Sequence, residues 1–324
     1  MKKLFILCFL SITVISLLSC KKDINGPNNN GFNVHPENLV AVTGYFEKNG
    51  VHSTHIVLVD FYNLKNYKII TDTTMRAVEP RFSNDKRKIV FGDYYHYAFD
   101  AGAGLVLYDL MNDTFLPLYY RIVSDVPPVW NYDDTGIYYN VYMGGLLFYL
   151  FSIQASESLH GGQDFLPYWP VGLKGQDTII VFAYKDGKPG FYLADLNGNY
   201  LSTINNPYFE LIQVNSVTKK GVTNLNWNDK YGLFVYSEID SSVDGRKISV
   251  TNLDGSYYRS YTSGDYNDDH PVWGPESRYI LFERKHKSPL GYRIMLIDRE
   301  TGTVQDFLKP GDIPGSLGFR YPDY

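Results

Sequence analysis

Cysteine is almost missing from this sequence. There are two in 324 residues, Cys8 and Cys20, which excludes a disulfide framework and a paired-cysteine metal site. Concentrated positive charge is missing as well. No basic run exceeds Lys219-Lys220 or Lys285-His286-Lys287 and the formal net charge is −5, so nucleic acid is excluded as a partner, because phosphate binding needs a dense cationic face. There is no Gly-x-Ser-x-Gly elbow, no His-Glu-x-x-His pair and no phosphate loop. The histidines (His35, His52, His55, His96, His160, His270, His286) are scattered without metal-ligand spacing. The sequence therefore assigns no catalytic residue, no metal and no cofactor, and an enzyme is the less favoured class.

The one long apolar run lies at the amino terminus. Met1-Lys2-Lys3, the stretch from Leu4 to Leu18 and then Ser19-Cys20 read as a secretory signal with a small residue before a cysteine. Leu17-Leu18-Ser19-Cys20 resembles the lipobox of bacterial lipoproteins, which implies cleavage after residue 19 and acylation (palmitate or a related acyl chain) of Cys20. Two or more acyl chains hold a protein at a membrane where one is marginal. Residues 20–37 then form a lipidated cysteine with an Asn/Gly-rich flexible linker, and the expected location is the outer membrane, lipid-anchored, on its periplasmic face or the cell surface. Lys21-Lys22-Asp23 also loosely resembles the charged signal that sends some Bacteroidota-type lipoproteins to the surface.

The rest of the sequence repeats. Pro80-Arg81-Phe82, Pro128-Val129-Trp130, Pro167-Tyr168-Trp169, Leu225-Asn226-Trp227 and Pro271-Val272-Trp273 are aromatic anchors, each followed by a polar turn and an apolar run ending in a second aromatic. Phe91, Tyr139, Tyr236 and Phe282 each stand nine residues after their anchor, while Phe182 follows Trp169 by thirteen, which predicts a turn longer by four residues near Val171–Lys174. Later runs close on Asp109, Asp195, Asn252 and Asp298, at 25 to 27 residues from the anchor. Short β-branched and aromatic runs separated by turn residues give four antiparallel strands per unit. Anchor spacings of 48, 39, 58 and 46 residues match propeller repeats, and 16% aromatic residues suit them. Before the first anchor, Leu39–Phe46, His55–Asp60 and Tyr67–Thr71 make three strands of a unit without its own anchor strand. Ile313–Tyr321 is the expected fourth. The expectation is an all-β, six-bladed β-propeller of four-stranded antiparallel blades over residues 38–324, closed by N- and C-terminal strands.

Pro271-Val272-Trp273-Gly274-Pro275-Glu276-Ser277 with Ile280-Leu281-Phe282 resembles the Pro-x-Trp-Ser-Pro-Asp-Gly…Ile-Ala-Phe phrase of TolB-type β-propeller repeats, and the resemblance covers about residues 39–324. The Asp-Gly of that phrase is replaced by Asp85-Lys86, Asp134-Thr135-Gly136, Asp229-Lys230 and Glu276-Ser277. The amino-terminal domain of TolB itself is not represented, and fold does not carry function with it.

Two groups of candidate ligand-binding residues follow. Asp268, Asp269 and His270 precede an anchor, where the family resemblance implies an innermost strand facing the channel mouth. Glu79 and Asn224 hold equivalent positions of polar character. Tyr94, Tyr95 and Tyr97 belong to an aromatic loop that interrupts one unit, and exposed tyrosines suit protein or sugar contacts. The anchors themselves are expected in the core between blades. The favoured function is a membrane-anchored, non-catalytic binding or scaffold propeller for an envelope protein or glycan. The alternative is a polysaccharide lyase or hydrolase with a channel-mouth site built from His270, Asp269 and Glu79.

Overall fold

A computed structural model describes residues 32, 34–72, 75–94, 103–122, 128–141, 145–152, 155–159, 164–209, 220–240, 245–263, 265–285 and 291–324. The signal segment, Cys20, Tyr95 and Tyr97 lie outside the described residues.

The described residues form antiparallel sheets in sequence order. β1 (Leu39–Lys48), β2 (Val51–Asp60) and β3 (Asn63–Ile69) begin the first sheet. β4 (Ala77–Phe82), β5 (Lys88–Asp93), β6 (Ala103–Asp109) and β7 (Thr114–Ile122) form the second. β8 (Val129–Trp130), β9 (Gly136–Val141), β10 (Gly145–Leu150) and β11 (Ala155–Ser158) form the third. β12 (Phe165–Lys174), β13 (Thr178–Lys185), β14 (Lys188–Asp195) and β15 (Tyr200–Thr203) form the fourth. An eight-stranded sheet follows. Its first half is β16 (Lys220–Asn228), β17 (Leu233–Asp240), β18 (Arg246–Asn252) and β19 (Tyr258–Ser260). Its second half is β20 (Asn267–Trp273), β21 (Tyr279–Lys285), β22 (Tyr292–Asp298) and β23 (Val304–Leu308). The halves join through one parallel residue pair, Arg246 with Asn267. β24 (Ser316–Asp323) returns to pair antiparallel with β1, Gly44 opposite Phe319, and completes the first sheet.

The strands read as unbroken apolar runs because both faces of each sheet are covered. In β1, Leu39 and Ala41 pack toward Phe82, Ile89 and Phe91 of the second sheet, while Val40 and Val42 pack toward Val272, Leu281 and Ile294. Further apolar clusters join the second sheet to the third, the third to the fourth, the fourth to β16–β19, and β17–β18 to β20–β22. The order is cyclic, a propeller-like arrangement in which each sheet shields its neighbours.

The anchors work across these junctions. Trp130 Nε1 donates to the Arg81 carbonyl at 3.1 Å and Trp273 Nε1 to the Asn226 carbonyl at 3.2 Å, each reaching the preceding anchor strand. The turns without glycine work the same way. Lys86, Asp134 and Ser277 take left-handed φ of 54°, 57° and 50°, a conformation costing a non-glycine residue about 1–2 kcal/mol. Each uses its side chain backwards. Asp134 accepts from the Asn84 and Asp85 backbone N–H groups at 2.8 and 2.9 Å, Ser277 Oγ lies 2.5 Å from Asn228 Nδ2, and Lys86 Nζ donates to the Leu39 carbonyl at 3.1 Å. A glycine would relax the backbone and lose the clasp.

The fourth sheet differs from the expectation of a longer turn. β12 continues through Lys174, which pairs with Thr178, so the extra residues lengthen the strand and leave a short turn. A bulge between Pro170 and Gly172 accommodates them. Gly172 is required there, since a Cβ would stand 2.9 Å from that of Trp227.

Candidate functional site

The site grows from the innermost strands. β4, β16, β20 and β24 each carry a register break with one left-handed residue: Glu79 at φ 57°, Asn224 at 52°, His270 at 48° and Tyr321 at 49°. Bulges re-aim side chains, and backbone strain collects at functional positions. In three of these strands the aromatic anchor stands three residues later, at Phe82, Trp227 and Trp273. Tyr324 holds the same place in the fourth. Pro322-Asp323-Tyr324 is thus a further copy of the Pro-x-aromatic phrase, and the anchor strand of the first unit extends past Tyr321, where the sequence reading ended it.

These strands enclose a cavity of about 1020 Å³. Phe82, Trp130, Trp227, Trp273 and Tyr324 line its walls, so the anchors are at once packed core and cavity surface. Turn residues Asn84, Tyr132 and Asp229 also line it, as do Arg246, Asp269, His270 and Arg320.

Most of the charged groups are paired. Asp269 accepts from Asn224 Nδ2 at 2.6 Å and from Arg246 Nη1, joining β16, β18 and β20. His270 Nδ1 lies 3.4 Å from Glu283 Oε2, and its ring meets Tyr321 edge-on at 4.5 Å. Glu283 also accepts from Arg320 Nε at 2.9 Å and from the Tyr321 backbone N–H at 3.3 Å. Burial alone would raise the Glu283 pKa, but hydrogen bonding and charge from His270, with the charge of Arg320, outweigh it and hold the carboxyl below its ordinary value. Beneath the Tyr324 ring, burial pushes the Lys86 amine down to about 7 against the pull of Asp323 and Glu37.

The predicted site residues therefore divide. Asp269 and His270 meet in the cavity. Asp268 does not join them: it is 1% exposed and held bidentate by Arg284 at 2.6 and 2.8 Å. Glu79 is buried at the junction of the first two sheets, where its N–H donates to Thr43 Oγ1 at 3.0 Å, and it does not line the cavity. Tyr94 is half-buried against the cluster that contains Val90 and Tyr139. Among the described residues no group of three or more His, Cys, Asp and Glu could hold a metal ion. The arrangement can bind and orient a ligand. Asp269 and Asp323 are engaged by cations or amides, while Asp229 stands exposed beside the Trp227 indole N–H.

Glu283, Arg246 and Arg320 escaped the sequence reading. A signal for Glu283 was present. The residue after each second aromatic is Gly92, Asn140, Ala183, Ser237 and Glu283, all buried, and a carboxylate in that series needs a cation.

The sequence matches no family profile and no curated protein. Solved structures do match in shape. TolB from Acinetobacter baumannii superposes with a TM-score of 0.65 at 11% identity over 88% of this chain and 66% of that one, so this chain spans just under two thirds of its length. A TolB described as putative, from Agrobacterium tumefaciens, gives 0.55 at 12% identity over 86% and 91% of the two chains. The β-propeller domain of the Trilobed protease from Pyrococcus furiosus gives 0.51 at 12% over 83% and 94%. At such identities the likeness speaks for fold alone: the chain has a β-propeller fold structurally related to TolB and other propeller proteins.

Proposed function

We propose that this chain is a lipid-anchored, non-catalytic binding propeller of the bacterial envelope, with six four-stranded blades and a ligand seat in its central cavity. The blade count follows from dividing the eight-stranded sheet at its single parallel pair and from the cyclic order of the apolar clusters. Attachment rests on the lipobox-like Leu17-Leu18-Ser19-Cys20, and placement in the outer membrane rests on the same reading. No helix among the described residues is long and apolar enough to cross a membrane.

One observation carries the binding reading. The cavity has aromatic walls, and its arginines and Asp269 are already paired, Asp269 with Arg246 and Asn224, Arg320 with the buried Glu283 and Arg81 with Asp323. A lyase or hydrolase needs groups that converge on one substrate atom. Of His270, Asp269 and Glu79, the last is buried between sheets.

The test is a pair of variants in intact cells. Cys20→Ser should move the protein from the membrane to the soluble fraction, and a fatty-acid label that fails to mark wild type would overturn the anchor. His270→Ala should leave envelope cross-linking largely intact with no turnover detected. Metal-dependent cleavage of a polysaccharide, abolished by His270→Ala, would establish the enzymatic reading instead.

A further inference from the structure

We infer that the cavity mouth is a seat for an uncharged oligosaccharide, with Tyr132 and Trp227 as its stacking platforms. This rests on the reading of the cavity as a binding site and adds the chemical class of its ligand.

The first observation is where the aromatics stand. Tyr132 is 60% exposed on the turn between β8 and β9 and lines the cavity. Trp227 is half-buried at the end of β16, with Nε1 3.3 Å from Asp229 Oδ1 on the adjoining turn. Tyr231, 44% exposed, belongs to that same turn. On the first sheet, Tyr62 is 65% exposed beside Phe61, whose ring contacts Tyr324 at 6.2 Å. Aromatic side chains thus stand exposed at turns from three separate sheets, all at the end of the propeller where the anchor strands finish. Singly exposed rings are ordinary, but several at one end of the molecule mark an interaction site, and their faces suit the C–H surfaces of a pyranose.

The second observation is charge. An acidic chain would need surplus cation, and the cationic groups lining the cavity have other engagements. Arg246 is on Asp269, Arg320 on Glu283 at 2.9 Å, Arg81 3.6 Å from Asp323, and Lys86 on the Leu39 carbonyl and the Tyr324 face. Admitting an anion at any of the arginines would mean breaking its pair, which leaves a charge uncompensated, and the Lys86 amine is buried and lowered to about 7.

The third is the supply of hydrogen-bonding groups. A peptide brings backbone N–H and C=O groups that require partners. Among the described residues, three of the four side-chain amides lining the cavity are spent, Asn224 on Asp269, Asn84 on Asp134 and Asn228 on Ser277, which leaves Asn226 and few other groups for a peptide backbone. Asp229 is exposed at the rim and offers carboxylate oxygens, acceptors for sugar hydroxyls.

The experiment titrates the full protein in detergent with cellohexaose, maltohexaose and chitohexaose, then with hexagalacturonate, following tryptophan fluorescence and heat. At least one neutral hexasaccharide should bind, with affinity changing less than about two-fold between low and high salt, because no charge is screened. Tyr132→Ala and Trp227→Ala should each weaken it by on the order of ten-fold. Tyr132 is exposed enough that its variant keeps the wild-type melting midpoint, which separates lost binding from lost fold. Binding of hexagalacturonate alone with steep salt dependence, or of none of the sugars, would overturn the inference. Envelope cross-linking of the same variants is run in parallel. If no neutral sugar binds and cross-linking falls with Tyr132→Ala, the seat holds a protein, so the binding reading stands and the sugar class is wrong. If neither sugar binding nor cross-linking responds, both are wrong.

Discussion

The junctions on either side of the first sheet and the junction between the third and fourth sheets solve the same packing problem with different chemistry. Between the third and fourth sheets, Tyr138, Phe148, Phe165 and Tyr192 fill the space with rings and aliphatic neighbours. Around the first sheet, apolar clusters are supplemented by charge. Arg320 of β24 reaches Glu283 on one side, while Asp323 of the same strand accepts from the Phe82 N–H at 2.6 Å and lies 3.6 Å from Arg81 on the other. Lys86 adds its bond to Leu39. At these junctions the difference tracks connectivity, although Arg246 and Asp269 form a charged link between consecutive units as well. The third and fourth sheets are consecutive in sequence, and burial of apolar surface suffices to dock them. β24 arrives from the far end of the chain, and a hydrophobic strand could pair in a slipped register. The directional pairs on both faces of β24 would be lost in a slipped register, which is the specificity role that buried ion pairs have in some systems.

The harshest way to break the comparison is to delete residues 316–324. That removes a strand and both sets of pairs, and should abolish the cooperative thermal transition of the whole ring. A truncated protein with an unchanged midpoint would refute the closure scheme.

Single substitutions at the two kinds of junction should cost about the same and differ in how they are rescued. Phe165→Ala leaves a cavity in the apolar junction, at about 3–5 kcal/mol. Glu283→Ala strands the Arg320 guanidinium, also at about 3–5 kcal/mol. Adding Arg320→Met to Glu283→Met should recover most of the loss, because a buried ion pair can be replaced by apolar groups where a half-pair cannot persist. A double variant no better than the single, in chemical denaturation, would show that the pair contributes more than register.

Acid sharpens the contrast further. The Glu283 pKa is held below its ordinary 4.5, so its contribution is present above that value and disappears as pH falls through the lowered one. Asp323 runs the other way, since burial raises it and ionisation there costs stability. Glu283→Gln should flatten the acid limb of stability against pH or invert it, and an unchanged limb would remove Glu283 from the account.

A gradual effect, read as a slope, concerns Lys86. With its amine lowered from 10.5 to about 7, the unfolded chain binds a proton between those values that the folded chain does not. Wild-type stability should rise with pH through that window, by on the order of 1 kcal/mol per pH unit, and Lys86→Met should lose the slope. Denaturant midpoints near each end of the window measure it.

Much of the fold was legible because its causes are local. The aromatic-to-aromatic spacing of nine residues fixes strand, turn and strand within one hairpin, and Phe82, Trp130, Trp227 and Trp273 all stand where the repeat put them. The return of the C-terminal segment to β1 was legible from a missing strand. Less of the site was. Asp268 and Asp269 look alike in sequence, yet adjacent strand residues face opposite sides: one meets Arg284, the other the cavity. The expected turn insertion near Val171–Lys174 became paired strand, because the neighbouring strand extended to meet it.

What the sequence determined by itself is therefore the unit: its strands, its anchors and the turns between them, each set by residues within one repeat. Only the tertiary structure decided the partners. Arg320 with Glu283, and Asp323 with Phe82, are 37 and 241 residues apart. No local pattern couples such positions. They meet because the ring closes, and closure is a property of how all the sheets pack at once.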